Sequence, residues 1–315
     1  GINNGGEDGN GSIDDSTIGI YIDSSSLTGG INNAENSVIS ATDDAILIED
    51  SSSILGGINN SGSIIGGDNA IDGAGDVTID SVTNEEDATI SGGDTGILLL
   101  DGSGITGDVT NHGSILGNTG DAIALALTSS IGGNIENTGT ISGGDDGVSL
   151  FGSSSIDGAI NNSGSILGVD GAGISVEAAS SIDGGINNES SALISGGDTG
   201  IFLSGSTISG GIENNGSIEE DNAATISGGI NGISLTSDSN IIGGEGGAGI
   251  YNSGAITGGT GSGILINSSD ITGDEDDYAI NNIGEITGGT NGLSLTSGGS
   301  LGGEGGSGDL TNSGT

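Results

Sequence analysis

One short phrase recurs about eleven times along this chain of 315 residues. Its consensus is I-x-N-x-G-x-I-x-G-G, then a gap, then G-I-x-L, then S-x-I-x-G-G. The isoleucine of the G-x-I-x-G step marks each copy, and successive markers lie 25 to 32 residues apart. These markers are Ile13, Ile39, Ile64, Ile90, Ile115, Ile141, Ile166, Ile194, Ile226, Ile256 and Ile286. A self-similar period of this length is typical of solenoids, in which each repeat forms one coil and stacked neighbours complete the core.

The apolar residues inside each copy have the spacing of β-strands. They sit two apart, as in Val148 and Leu150, in groups too short for helices, and β-branched isoleucine dominates them. Glycine accounts for 71 residues and, with Asn and Asp, allows the tight corners that such a coil needs. The sequence therefore predicts an all-β fold, a single parallel β-solenoid (β-helix) of about 11 coils of 25–32 residues with three short strands per coil.

The composition agrees with a solenoid and argues against a globular core. Only 31% of the residues are hydrophobic and five are aromatic, which suits one narrow column of roughly five aliphatic side chains per coil. A disordered acidic chain is the alternative, but disorder does not require aliphatic residues in register. We expect residues 1–315 to form one continuous solenoid, with regular coils over 13–193 and longer coils carrying insertions over 194–315.

Asparagine recurs at one position of the coil. The row is Asn33, Asn60, Asn84, Asn111, Asn137, Asn162, Asn188, Asn214, Asn252, Asn282 and Asn312. Side-chain amides in equivalent positions can hydrogen-bond to the coils above and below, as in cross-β ladders, or satisfy backbone groups at corners. We therefore predict a structural Asn row, and a row that binds a ligand is the alternative.

The charge is one-sided. There is no Lys or Arg against 44 Asp and Glu residues, which gives a formal net charge of −44. Four residues after the marker isoleucine lie Asp43, Asp68, Asp94, Asp145, Asp170 and Asp198, interrupted by Thr119. Stacked about 5 Å apart, neighbouring carboxylates would repel by roughly 1 kcal/mol in water before screening by salt. We call this predicted row the acidic column.

Three agents could offset the repulsion: screening of a solvated face, binding of a hard cation such as Ca²⁺, or protonation in an acidic habitat. No EF-hand loop occurs, and the nonapeptide Ca²⁺-binding repeat is missing as a repeat. The candidate weak cation ligands are the acidic column together with Glu219, Glu220, Asp221, Asp274, Asp276 and Asp277. A chain without Lys or Arg excludes nucleic acid and anionic membrane surfaces as electrostatic partners.

Signs of catalysis are few. The chain has no Cys, its one histidine (His112) lies in a turn where other copies carry Ser or Thr, and a phosphate-binding loop would require Lys. Paired carboxylates can hydrolyse glycosides, but no pair stands out. We expect no enzymatic activity and no cofactor other than a potential Ca²⁺. No run of eighteen apolar residues occurs, so we also expect no membrane insertion.

Two phrases carry a resemblance: GGINNSGSI at 56–64 and GAINNSGSI at 158–166. They resemble the repeats of bacterial autotransporter passenger domains and related large surface adhesins, and the resemblance covers essentially the whole chain. It implies export, a β-solenoid stalk, an extracellular or cell-surface location, and a role in adhesion or matrix. The total absence of Lys and Arg departs from that family.

The chain opens and closes within the repeated phrase and lacks an initial Met, so we expect it to be a piece of a longer protein. Uncapped coils favour end-to-end stacking. We therefore predict a structural protein that self-associates head to tail into a filament or forms the stalk of a fibrous surface protein. The alternative is a monomeric passenger that binds glycans, host cells or neighbouring cells through the insertions near 219–224 and 274–279.

Overall fold

The computed structural model describes residues 1–5, 10–14, 17–218, 220, 222–244, 247–274, 277–302 and 310–314. All regular structure within these ranges is β, in strands numbered β1 to β45 along the chain. Each complete coil contributes one strand to each of four parallel sheets, A to D. Strands follow one another in chain order within every sheet, so each coil lies on the preceding one. The predicted parallel β-solenoid of about 11 coils is confirmed.

Sheet A has twelve strands. They are β1 (Ile2–Asn4), β5 (Ile31–Asn33), β9 (Ile58–Asn60), β13 (Val82–Asn84), β17 (Val109–Asn111), β21 (Ile135–Asn137), β25 (Ile160–Asn162), β29 (Ile186–Asn188), β33 (Ile212–Asn214), β37 (Ile250–Asn252), β41 (Ile280–Asn282) and β45 (Leu310–Asn312). Sheet B has eleven. They are β2 (Ser12–Asp14), β6 (Val38–Ala41), β10 (Ser63–Gly66), β14 (Thr89–Gly92), β18 (Ser114–Gly117), β22 (Thr140–Gly143), β26 (Ser165–Gly168), β30 (Leu193–Gly196), β34 (Thr225–Gly228), β38 (Ala255–Gly258) and β42 (Glu285–Gly288).

Sheet C also has eleven strands. They are β3 (Ile20–Asp23), β7 (Ile46–Glu49), β11 (Ile71–Ala74), β15 (Ile97–Leu100), β19 (Ile123–Ala126), β23 (Val148–Phe151), β27 (Ala172–Glu177), β31 (Thr199–Ser204), β35 (Asn231–Thr236), β39 (Ser262–Asn267) and β43 (Asn291–Thr296). Sheet D has eleven short strands. They are β4 (Ser26–Leu27), β8 (Ser53–Ile54), β12 (Thr78–Ile79), β16 (Gly104–Ile105), β20 (Ser130–Ile131), β24 (Ser155–Ile156), β28 (Ser181–Ile182), β32 (Thr207–Gly210), β36 (Asn240–Gly243), β40 (Asp270–Thr272) and β44 (Ser300–Gly302).

A coil thus has four strands where the sequence suggested three. Ile156 and Ile160 are only four residues apart, yet they lie on β24 and β25, in different sheets. Residues 157–159 turn the chain between them, so a two-residue strand of sheet D stands apart from sheet A. The apolar spacing alone did not reveal this corner because both isoleucines point into the same core.

Stacking is in register throughout. Ile64 of β10 pairs with Ile39 below and Ile90 above, and Asn214 pairs with Asn252 although 38 residues separate them in the chain. The extra residues of the longer coils lie between strands, after β33, β36 and β40, so the ladders continue past them. An inner coil points five aliphatic side chains inward, such as Val109, Ile115, Ile123, Leu125 and Ile131, each at most 1% exposed.

One coil fills its core differently. Gly73 lies in register with Ile48 and Leu99, where other coils have an aliphatic side chain. Val77, which is 1% exposed, follows the next corner, and a β-carbon added at Gly73 would lie 3.6 Å from its Cγ1 atom. Val77 therefore supplies from the corner the apolar volume that Gly73 lacks.

The corner between sheets C and D repeats a strained backbone and a buried hydroxyl. Consecutive residues there have left-handed φ angles, for example 55° at Ala178 and 65° at Ala179, at a cost of roughly 1–2 kcal/mol per non-glycine residue. A buried serine follows in most coils, and its Oγ atom accepts the backbone N–H of the preceding coil, as from Ser154 to Ser180 at 3.2 Å. The sequence reasoning missed this row, which consists of Ser52, Ser103, Ser129, Ser154, Ser180, Ser206, Ser239 and Ser269.

Candidate functional site

The predicted Asn residues form one hydrogen-bonded ladder inside the coil. Each lies at the end of a sheet A strand, and the ten from Asn33 to Asn282 are at most 2% exposed. Each Nδ2 donates to the Oδ1 of the next Asn at 2.6–2.9 Å. Asn4, which the sequence reasoning did not include, donates to Asn33 at 2.8 Å and extends the ladder by one coil.

The direction of the ladder is fixed by the backbone. Asn60 Nδ2 also donates to the carbonyl of Thr89 in the next coil at 2.9 Å and to that of Gly62 in its own coil at 3.1 Å. A carbonyl oxygen accepts and cannot donate, so the amide nitrogen must face these atoms. With its Oδ1 accepting from Asn33 and from the N–H of Gly62, the amide is fully engaged inside the protein. The buried amide of Asn60 therefore has no hydrogen-bonding capacity left over.

The acidic column lies on the outside, at the corner between sheets B and C, and all six of its members are exposed. The backbone of Asp68 hydrogen-bonds to that of Asp43, and the backbone of Asp94 to that of Asp68, so three carboxylates occupy consecutive coils. Beyond them the position is taken by Gly120, Asp145, Gly171 and Asp198 in turn. The dense part of the column is therefore confined to its first three members.

Asp170 lies one residue away from the column position. The N–H of Gly171 bonds to the carbonyl of Asp145, and the N–H of Asp198 bonds to the carbonyl of Gly171, so Gly171 is the stacked residue. Counting from the marker isoleucine failed here because this coil has one more residue between Ile166 and Ile174 than its neighbours have.

A second acidic row lies beside the column and caps backbone groups. Asp44 Oδ1 accepts the N–H of Asn69 at 3.1 Å, and Asp121 Oδ1 accepts that of Asp146 at 3.0 Å. Asn231 makes the same contact with the N–H of Ser262 at 2.9 Å, so the position calls for an acceptor oxygen and not for a charge. The sequence spacing did not reveal this capping role, because each of these residues directly follows a position of the acidic column.

The two rows meet in coils two and three of the stack. Ligand oxygens of Asp43, Asp44 and Asp68 all lie within 4.8 Å of one another, and this is the one such acidic group in the described part of the chain. The amide of Asn69 lies against it, with Nδ2 donating to Asp44 Oδ1 at 3.1 Å and to Asp72 Oδ2 at 3.3 Å. We call these five residues the Asp–Asn cluster.

Burial and mutual repulsion shift the acidity of this region. Burial, followed by the charge of Asp44, raises the pKa of Asp72 to about 7. Burial likewise raises the pKa of Asp44, although the hydrogen bonds from Asn69 act in the opposite direction. Further along the stack, burial raises the pKa of Asp146 to about 7, and burial also raises that of Asp121.

A shallow groove of about 340 Å³ runs along the same corner over the later coils. Asp145, Asp146 and Asp198 line it together with the ring of Phe202 and the amide of Asn231. Carboxylates and an aromatic ring therefore face the same space.

The remaining predicted cation ligands lie elsewhere or cannot be placed. Glu219, Asp221 and Asp276 fall outside the described residues. Glu220 is exposed in the insertion after β33. Asp274 and Asp277 lie in the insertion after β40 and are therefore not in the acidic column. Asp277 accepts the N–H of Tyr278 there at 2.8 Å. His112 is exposed in its turn, 2.8 Å from the hydroxyl of Thr138.

The fold and its internal ladder define the class of this protein, a parallel β-solenoid repeat protein. No family model matches the chain, and no curated protein or solved structure is significantly similar to it. No helix long and apolar enough to cross a membrane occurs in the described ranges.

Proposed function

We propose that this chain is a non-enzymatic structural protein of the cell exterior, in which stacked coils build a long rod. The rod extends either by head-to-tail stacking of copies into a filament or as the stalk of a fibrous surface protein. The resemblance of the repeats to autotransporter passengers and large surface adhesins supports the location. The repeating interior, which uses nearly every polar group for stacking, supports the mechanical role.

The observation that carries this proposal is that a coil closes its core only against the next coil, which a comparison of Ile280 with the last described coil illustrates. Leu310 pairs with Ile280 and is 46% exposed, whereas Ile280 is fully buried. A cavity of about 150 Å³ opens there between Ile286, Leu293 and Leu310. Burying apolar surface of this kind gains about 25 cal/mol per Å², so another coil, from a second copy or from more of the same chain, would be stabilised on it.

The charge distribution is compatible with end-to-end contact. The acidic column lies on the side of the rod, while the described end face offers leucine side chains and strand edges. Copies of a chain with a net charge of −44 still repel one another at long range, and salt screens that repulsion over about 10 Å at 0.1 M. We therefore expect association to strengthen with ionic strength.

The absence of enzymatic activity is part of the proposal. A carboxyl with a pKa of about 7, such as that of Asp146, is a feature of general acids. Here, however, Asp146 Oδ1 accepts the N–H of Ala172 at 2.6 Å, the same backbone contact that Asp44 and Asn231 make in their own coils. An asparagine cannot exchange a proton at this position, so the shared role is structural.

The test is self-association of the purified chain, followed by sedimentation velocity and negative-stain electron microscopy. We expect rods that lengthen with protein concentration and with salt raised from about 0.05 M to about 1 M. Leu310→Glu should abolish lengthening by placing a charge on the end face. Leu55→Glu is the matched control, because Leu55 is 47% exposed on the side of the rod. Single short rods under every condition would contradict the filament.

A monomeric adhesin is the second candidate, and the acidic groove favours it. Carboxylates beside an aromatic ring, as around Phe202, can bind a sugar through hydroxyl hydrogen bonds and stacking on the ring. Binding to a glycan array by the wild type, lost in Phe202→Ala and retained in Leu55→Glu, would support this candidate. Binding that survives Phe202→Ala would exclude the groove as its site.

A further inference from the structure

The outer face of sheet C is apolar over coils four to six of the stack. Strand residues alternate between inside and outside, and the outward positions of β15, β19 and β23 hold leucine, alanine and phenylalanine, with one serine. These side chains are neighbours across the sheet, because Leu98 pairs with Ala124 and Ala126 pairs with Phe151. Together with a corner residue they form what we call the apolar face, which consists of Leu98, Leu100, Ala124, Ala126, Leu127 and Phe151.

Leu127 joins this face in a strained conformation. It lies at the corner between sheets C and D with a left-handed φ of 55°, and it is 49% exposed. The same corner position holds Asp101 in the preceding coil and Gly152 in the next, and both residue types tolerate this conformation better than leucine. A β-carbon added at Gly152 would lie 3.7 Å from Leu127 Cδ2, so the leucine side chain leans over the residue next to Phe151.

Phe151 is likewise half-exposed, at 51%. Two large apolar side chains that remain open to water contribute little to the folded chain, and one of them is also strained. Strain of this kind is found at contact sites, and exposed apolar patches with a polar border mark interaction surfaces. The apolar face therefore has the character of a surface that another molecule covers.

Acidic residues lie along both sides of the apolar face. On the corner toward sheet D, Asp76 and Asp101 occupy the two coils before Leu127, and both are exposed. On the edge toward sheet B, the carboxyl of Asp121 hydrogen-bonds to the outward side chain of Ser149. A molecule lying across the face would therefore meet carboxyl groups on either side of the apolar centre.

Two more acidic residues close the ends of the face along the stack. Asp72 pairs with Leu98 on one side, and Glu177 takes in coil seven the outward position that Phe151 holds in coil six. We call the five residues the acidic rim, namely Asp72, Asp76, Asp101, Asp121 and Glu177. The chain has no Lys or Arg that could neutralise the rim from within.

The charge of the rim discriminates between a second copy of the chain and a different partner. Two copies joined face to face would bring two acidic rims together, on chains of formal net charge −44, and close carboxylates repel. A partner that carries Lys or Arg beside its apolar residues would meet the rim with the opposite charge. Charge complementarity therefore favours a basic partner.

The size of the face sets the size of that partner. Three coils about 4.8 Å apart and strands of four residues at about 3.3 Å each give a patch of roughly 10 by 13 Å. A stable interface between folded proteins buries about 800 Å² on each partner, which is several times more. The face is therefore suited to weak binding of a short segment.

We propose that the apolar face binds a short segment of another protein, in which a few large apolar side chains are flanked by Lys or Arg. The apolar side chains cover Leu127 and Phe151, and the basic side chains pair with the acidic rim on either side. Because the face lies on the side of the rod, this binding is independent of end-to-end growth. It attaches a basic partner to the rod and does not rest on the filament.

The probe is a synthetic peptide with leucine, tryptophan and leucine between pairs of lysines, blocked at both ends. Since the protein has no Trp, the fluorescence of the peptide reports the environment of its own indole. We expect saturable binding with a blue shift of the emission, because the indole is buried on the apolar face. A peptide with serine in place of leucine has the same charge and should bind about tenfold more weakly.

Two double variants locate the binding. Leu127→Asn/Phe151→Ser should weaken binding of the leucine peptide about tenfold and abolish the blue shift. Leu55→Asn/Ile65→Ser is the matched control, because these side chains are 47% and 42% exposed away from sheet C and the net charge is again unchanged. The control should bind the peptide as the wild type does.

A second pair of variants tests the acidic rim. Asp76→Asn/Asp101→Asn should weaken binding severalfold at low salt, and this loss should shrink as salt screens the rim. Asp157→Asn/Asp183→Asn makes the same change in net charge at exposed positions that follow strands of sheet D. It should have a smaller effect, and equal losses in the two pairs would contradict a role of the rim.

Denaturation separates a binding role from a role in stability. Asn accepts a left-handed backbone more readily than leucine, so Leu127→Asn/Phe151→Ser should unfold at or above the wild-type midpoint. A clearly lower midpoint would explain the two side chains by the fold and would overturn the proposal. Equal weakening in the two apolar double variants, or unshifted emission with the wild type, would overturn it too. Dimers of the wild type that Leu127→Asn/Phe151→Ser abolishes would overturn the choice of partner.

Discussion

The inside of this rod stacks an Asn in every coil, and its outside stacks an Asp in three consecutive coils, with opposite energetic results. On the inside, Asn amides carry a donor and an acceptor, so each coil satisfies the next at 2.6–2.9 Å. On the outside, ionised Asp side chains only accept, so neighbours in coils two to four repel. Repetition of a residue therefore stabilises a solenoid only when that residue complements itself.

The largest effect on stability is expected from placing an acidic side chain in the interior Asn ladder. Asn60→Asp would place a carboxylate where the side chain is fully buried and would remove the donor to Asn84 and Thr89. We expect a loss of about 3–5 kcal/mol in the free energy of unfolding at pH 7.5, measured by denaturant titration. Lowering the pH should recover part of this loss, because a protonated carboxyl regains one donor.

Asn59→Asp is the control for that experiment. Asn59 is the preceding residue of the same strand β9, and its side chain faces outward, where it donates to Asn32 Oδ1 at 3.1 Å. The same substitution there should cost less than about 1 kcal/mol. Equal losses at the two positions would show that the interior ladder has no special role.

The second effect is a pH dependence produced by the half-buried carboxyls. Asp72 and Asp146 have a pKa of about 7 in the folded protein against 3.8 ordinarily. Between these values the folded state binds more protons than the unfolded state, so stability falls as pH rises from about 4 to about 7. After allowance for solvent screening we expect a fall on the order of 1–2 kcal/mol per group.

Substituting each carboxyl tests whether it produces the dependence of stability on pH. Asp72→Asn and Asp146→Asn should each raise the free energy of unfolding at pH 7.5 in cation-free buffer and flatten its dependence on pH. Asp80→Asn, at an exposed position, should leave the slope as it is. If both variants keep the full dependence of the free energy of unfolding on pH, that dependence comes from the overall charge of the chain.

The smallest effect is expected from thinning the acidic column itself. Asp68 has acidic neighbours in the coils on both sides, whereas Asp198 follows Gly171. In chelator and low salt, Asp68→Asn should stabilise the protein by about 0.5–1 kcal/mol, and Asp198→Asn by less. Both gains in stability should vanish near 1 M NaCl, where the repulsion is screened. Differences in denaturation midpoint that do not change with salt would argue against a repulsive column.

The repeat period determined most of what could be predicted. Because stacking is in register, spacing in the sequence located the core isoleucines and the positions of the Asn row, and it predicted the solenoid. Spacing could not show the corner that separates Ile156 from Ile160, since both residues are buried in one core. It also misplaced Asp170, because one additional residue before β27 shifts the chain by one position.

The repeat pattern could not predict the Asp–Asn cluster, for a different reason. Asp72 occupies an outward position of sheet C that pairs with Leu47 and Leu98 in the adjacent coils. Asn69 takes the place that Asp44 holds one coil earlier. These are departures from the consensus, so they become meaningful only when the coils are stacked and the departures are found to be neighbours.

The aligned amides of the ladder also give the rod a net dipole along its axis. A peptide amide has a dipole of about 3.5 D, and the ladder aligns its side-chain amides with the positive end toward the C-terminal coil. Backbone bonds between coils run both ways, as from Ile2 to Gly30 and from Ala34 to Asn4, so their dipoles largely cancel. The two ends of the rod are therefore not equivalent, and a coil added with reversed polarity would oppose like poles.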